Sequence, residues 1–323
     1  MIAYGGDSMQ DYLFQGMRQT ADRARLLLAT HIAAAPYLPW KLRRGAIALQ
    51  MRTNSTQHLA ARYAAIDHCK GVKSPPLRKG QLGPIWQFWA QGAETAPPIV
   101  QTCLRSVEMN SAGRKRIVLT AETVGDYLDI PGSLMDRIPF WGWTKFSNLV
   151  RLMLLERHGG TWIDATVLID RAIPHWIEER DFFVFRWPYD PRILANWFMH
   201  AKSEAPLTVA ISAAYQNYWL RAEKPGDYFM FHYLFESVVL AQHRLAKLWN
   251  DVPFHNAAIP HEMQALLGYP FEYDLYRSVL ARSWIQKLTY KPGAEVPCDG
   301  PTFISRLSEG IPSAPHQKAS QPT

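Results

Sequence analysis

The segment ERHGGTWIDATVLID, residues 156 to 170, sets one carboxylate, Asp164, between the apolar runs Trp162-Ile163 and Val167-Leu168-Ile169. A strand this apolar excludes charge unless the charge is paired or at work. Ligands of open α/β sheets bind beyond the carboxyl ends of the strands, and Asp164 can sit where such a strand emerges. A carboxylate there can ligate a hard cation, Mg2+ or Mn2+, which neutralises phosphates. The alternative is an acid that caps a turn or pairs with a buried arginine. Arg151 is one such partner, for Asp164 or for Asp170. It lies four residues after Ser147, so both project from one helical face, and its guanidinium fork suits oxyanions. Asp227 and His232 fall five apart in DYFMFHYLF. Asp227 can equally be a helix N-cap, and His232 a satisfied core histidine.

The elements that must hold these groups follow from periodicity. IWQFW (85–89) and RIVLT (116–120) read as strands, with a Pro-initiated helix between them that carries Ile99, Val100, Cys103, Leu104 and Val107. In TKFSNLVRLMLLERHGG, Phe146, Leu149, Val150, Met153 and Leu154 line one helical face, and Gly159-Gly160 stop the helix. TWIDATVLI reads as one further strand. Strands alternating with helices predict an α/β domain with a mostly parallel sheet. RDFFVFRW reads as another strand, APLTVAISAAYQNYWLRAE as a helix, and DYFMFHYLFESVVLAQHRLAKLW as one long buried helix.

Composition narrows the classes. A chain of 323 residues that is 48% hydrophobic can bury a large core, and a net charge of +7 favours an anionic partner. The basic residues form short scattered clusters with no zinc-finger or RNP motif, which argues against nucleic acid. The 3 cysteines are far apart, so neither a disulfide framework nor a metal knuckle is expected. No secretory signal and no apolar run of ~18 residues is present, so the expected location is cytoplasmic. Residues 1–72 read as a helical N-terminal extension. Its basic, amphipathic character suits either packing on its own domain or peripheral contact with the inner membrane face. A Pro/Gly/Lys-rich loop over 73–84 precedes the main domain, 85–310, and a polar tail covers 311–323.

The ordered set IWQFWAQG, PPIVQTCLRS, IVLT, SNLVRLMLLERHGGTWIDATVLI, ANWFMHA, DYFMFHYLF and QKLTYK resembles the capsular polysaccharide synthesis protein family, over about residues 84–291. That family is related to the DXD-containing sugar transferases of glycosyltransferase family 32. The resemblance implies a GT-A-type fold that binds a nucleotide-sugar donor through a divalent metal (Mn2+ or Mg2+). It implies transfer to a glycan or lipid-linked acceptor with retained anomeric configuration. Asp164 matches the first acid of the DXD-type motif, and Thr166 stands where a full motif has its second, so Asp164 and Thr166 are the implied metal ligands. Asn148 stands where the helix usually carries Asp. Arg151 is implied near the donor sugar or its phosphate, Trp86 and Gln87 near the nucleobase, and Asn196 at the sugar. Gly159 and Gly160 let the donor approach backbone, and Lys287 reaches the leaving diphosphate. Asp227 and His232 complete the implied catalytic set. The substitutions at Asn148 and Thr166 leave a second reading open, a nucleotide-sugar-binding scaffold without turnover.

Overall fold

The computed structural model of the protein describes residues 82–187, 194–222, 228–291 and 297–312. The helical extension expected over 1–72, most of the 73–84 loop, the tail beyond 312 and Asp227 lie outside the described residues.

In chain order the first elements are β1 (Ile85–Phe88), α1 (Pro98–Met109), β2 (Arg116–Leu119), α2 (Gly132–Met135), α3 (Ile138–Trp141) and α4 (Trp143–His158). The next are β3 (Gly160–Ile163), β4 (Val167–Ile169), α5 (His175–Glu178), β5 (Phe182–Val184), β6 (Phe198–Ala201) and α6 (Pro206–Arg221). Then come α7 (Met230–Ala241), α8 (His243–Asn250), α9 (Glu262–Leu266), α10 (Tyr273–Arg282), β7 (Ile285–Lys287) and α11 (Phe303–Glu309). Among the described residues, five strands form one sheet in the order β2-β1-β3-β6-β5. β1 runs parallel to β2 and to β3, and β6 and β5 extend the sheet antiparallel. The α/β class expected from the strand–helix alternation is the class observed.

Period-2 alternation sorts the sheet's side chains between two layers. Trp86 and Phe88 of β1 join the core with Phe146, Leu149 and Val150 of α4, while Ile85 joins Val107 of α1 in another. α1 begins with Pro98 in its first turn, where the missing N–H costs nothing. At the end of α4 the chain reverses at Gly159 and Gly160, with φ of 63° and 100°. A Cβ on Gly159 would meet Ser203 N at 2.6 Å, and one on Gly160 would collide with Pro84 O. Glycine is therefore required twice, once to stop the helix and once to lay β3 against the chain entering β1.

Two elements differ from their sequence reading. The expected strand 161–169 is two strands in two sheets: β3 in the main sheet, and β4 paired antiparallel with β7. A turn over Asp164–Thr166 separates them, closed by Val167 N–H donating to Asp164 O at 2.9 Å. Both arms are fully buried, so apolar pattern alone cannot show the break. The long helix expected from DYFMFHYLFESVVLAQHRLAKLW breaks at Gln242, which is extended (φ −135°, ψ 123°). α8 turns away there with its own buried face of Leu245 and Trp249.

Candidate active site

The turn after β3 gathers side chains from four elements. Asp164 follows the last residue of β3, and its backbone N–H donates to Trp197 O at 2.9 Å. Its Oδ1 accepts from Trp162 Nε1 at 2.8 Å and from Arg151 Nη2 at 3.1 Å. Lys287 Nζ, from β7, stands 3.5 Å from Oδ2 and donates to Thr166 Oγ1. The β4–β7 ladder fixes this approach, because Lys287 is the register partner of Val167 and Leu288 N–H donates to Thr166 O at 2.8 Å.

Arg151 is buried on α4, and each of its three guanidinium nitrogens donates a hydrogen bond. Its Nη1 donates to Asn196 O, its Nε reaches Ser147 O at 3.4 Å, and its guanidinium lies 4.8 Å from the centre of the Trp162 ring. Burial lowers its pKa and the neighbouring Asp164 raises it. An arginine stays charged through such a shift. The pairing of Arg151 is thus with Asp164, while Asp170 pairs with Arg171. Asn148 and Asn196 form the next layer. Asn196 Nδ2 donates to Asn148 Oδ1 at 3.1 Å, and Asn148 Nδ2 donates to Tyr215 OH at 3.4 Å. Tyr215 OH in turn donates to Lys145 O at 3.2 Å.

The structure thus brings together Asp164, Thr166, Arg151, Asn148, Asn196 and Lys287. It places Trp86 and Gln87 elsewhere, in the core, where neither presents a face to a nucleobase. Trp86 Nε1 donates to Gly159 O at 2.9 Å, and Gln87 Oε1 accepts from Arg116 Nε at 2.8 Å. Gly159 and Gly160 shape the backbone before β3. His232 is buried in the first turn of α7, its ring edge-on to Phe229 and Phe231 at 5.6 and 5.8 Å. Phe231 borders the cluster, 6.0 Å from the Arg151 guanidinium carbon. Two contributors went unread in the sequence: Trp162 and Tyr215. Trp162 was findable, since residues two apart in a strand share a face. Tyr215 joins the cluster through Asn148 from α6, without a local signal.

The expected metal ligands can be tested as a donor set. A hard cation takes about six oxygens, and Mg2+ borrows some from substrate phosphate. Here Oδ1 of Asp164 is occupied by two N–H donors, and Oδ2 and Thr166 Oγ1 both face the Lys287 ammonium. Among the described residues no group of three His, Cys, Asp or Glu could hold an ion. A dication among these oxygens would also meet the ammonium, and like unit charges 4 Å apart repel by about 4 kcal/mol in partly exposed protein. The residues present do not fit a divalent cation. A groove of about 520 Å3 over Glu122, Tyr127, Asp129 and Arg157 shares no residue with the cluster and plays no part in it.

Fold and site together define an α/β protein with a cation-rich, carboxylate-centred site at the edge of its parallel strands. The chain belongs to the capsular polysaccharide synthesis protein family, whose profile matches residues 40–302. Among solved structures it is similar to a PaToxG glycosyltransferase, with 13% identity and a TM-score of 0.39 over 64% of this chain and 83% of that one. No curated protein matches it at comparable significance.

Proposed function

We propose that the protein is a glycosyltransferase of capsular or related cell-surface polysaccharide synthesis, built on a GT-A-type plan. It moves a sugar from a nucleotide diphosphate donor to a glycan or lipid-linked acceptor, with retention. The observation that carries this reading is the placement of Arg151 and Lys287 on one carboxylate at the carboxyl end of β3, which parallels β1. Family membership supports the same direction.

In this reading the partly exposed Lys287 meets the diphosphate and stabilises charge as it develops on the leaving oxygen. Arg151, fixed by Asn196, Ser147 and Trp162, holds Asp164 in one rotamer, and Asp164 holds Lys287. Asp164 is therefore the hinge of the electrostatics. His232, buried between aromatic rings, is assigned no proton transfer. Among the described residues no helix is long and apolar enough to cross a membrane.

The full-length protein, given UDP-, GDP- and CMP-sugars with oligosaccharide or lipid-linked acceptors, should release nucleotide from one donor class. Asp164→Asn, which keeps shape and removes charge, should lower that rate by roughly 100-fold or more while the circular dichroism spectrum is unchanged. Donor binding without turnover, with a competent acceptor present, would favour the scaffold reading. Failure to bind any nucleotide would sink both.

A further inference from the structure

We infer that the Lys287 ammonium takes the position of a divalent cation at this site, so that side chains alone neutralise the departing diphosphate. The inference rests on the transferase reading and narrows its mechanism. Three observations carry it. First, the ammonium contacts both residues that a metal-binding motif would offer, with Thr166 Oγ1 as hydrogen-bond acceptor and Asp164 Oδ2 at 3.5 Å. Second, the position is built into the fold. The β4–β7 register sets the Lys287 backbone opposite Val167, and Leu288 N–H holds Thr166 O, so the ladder roots the lysine beside Asp164 and Thr166. Third, the charges do not balance. Among the described residues, the ion pairs of Arg151 and Lys287 converge on the single carboxylate of Asp164. One positive charge is left for a ligand.

Cys103 lies within reach of the Lys287 charge, but burial pushes its thiol up to about 12, so it stays neutral and supplies no counter-ion. Lysine carries three donors and no acceptor. With one on Thr166 and one directed at Asp164, the third is free for a phosphate oxygen, at a side chain 19% exposed. The ligand class is a nucleoside diphosphate. In the transfer, the bond between the anomeric carbon and the β-phosphate oxygen breaks, and its electron pair leaves on that oxygen beside Lys287. The acceptor hydroxyl oxygen forms the new bond to the anomeric carbon, and its proton passes to the departing diphosphate.

Calorimetric titration of the full-length protein with UDP and with GDP, in EDTA and then in Mn2+, tests this without relying on turnover. The expected result is nucleoside diphosphate binding in EDTA that Mn2+ changes by less than about twofold. Lys287→Ala should weaken it at least tenfold, and Lys287→Arg should retain most of it. Electron paramagnetic resonance should show free Mn2+ undiminished by the protein. Binding that requires Mn2+ and disappears in EDTA overturns the inference and leaves the transferase reading standing. Binding in EDTA that Lys287→Ala does not weaken, with its unfolding midpoint unchanged, overturns it too. Absence of binding under either condition overturns both.

Discussion

At residue scale, Asn148 shows how a departure from a family pattern can be a hydrogen-bond requirement. The resemblance implies Asp at this position, yet here the side chain accepts from Asn196 and donates to Tyr215 OH. The tyrosine cannot reverse roles cheaply, because its hydroxyl already donates to Lys145 O and burial pushes its pKa upward. An amide does both, whereas an ionised carboxylate only accepts. Asn148→Asp would leave a buried acid facing a phenolic oxygen. It should cost about 1–3 kcal/mol of stability, read from urea unfolding. Donor affinity should follow only through Asn196 and Arg151. Arg151 was legible as an oxyanion partner from its type and its spacing to Ser147. Its engagement with Asn196 O and the Trp162 ring was not, because those contacts join residues from three elements.

At element scale, the glycine pair decides where Asp164 stands. Gly160 has φ of 100°, and a side chain there would collide with Pro84 O, so β3 could no longer lie in register with β1. Gly160→Ala should destabilise by about 2 kcal/mol or more, through strain plus displacement of the strand. The same variant should weaken nucleotide binding although it touches no ligand. Gly132→Ala, with nothing within 4 Å of its Cβ, should stay within about 0.5 kcal/mol of wild type in the same measurement. The turn that ends β3 is equally decisive. One continuous strand would have carried Thr166 onward in the main sheet. The break instead transfers the chain to β7, and it is β7 that delivers Lys287.

At the scale of the whole molecule, a buried polar network ties the start of the sheet together. Arg114 donates to Gly83 O, to Thr161 Oγ1 and to Glu178, and Thr161 Oγ1 shares a hydrogen bond with His200 Nδ1 at 2.9 Å. Burial first, and the Arg114 charge second, lower the His200 pKa from its ordinary 6.5 to about 4. The histidine is therefore neutral in the fold, whereas the unfolded chain protonates it below pH 6.5. Its stabilising contribution is complete above pH 6.5 and is lost as pH falls towards 4, by roughly 3 kcal/mol at most. Urea unfolding at pH 7 and pH 4.5 should show that loss, and His200→Gln should flatten it. An unchanged slope in the variant would place the acid sensitivity elsewhere.

The amino-acid sequence by itself determined the α/β class, the helix that ends at Gly159, and the small set of charged residues on which chemistry could rest. These are local matters: periodicity, turn residues and a carboxylate in an apolar run announce themselves within a dozen positions. Tertiary structure alone decided that Trp86 and Gln87 belong to the core, because burial is a property of neighbouring elements. It alone decided that Thr166 faces an ammonium from a residue 121 positions away. Strand pairing is a long-range choice, so the partner that completes the site could not be read from the motif that begins it.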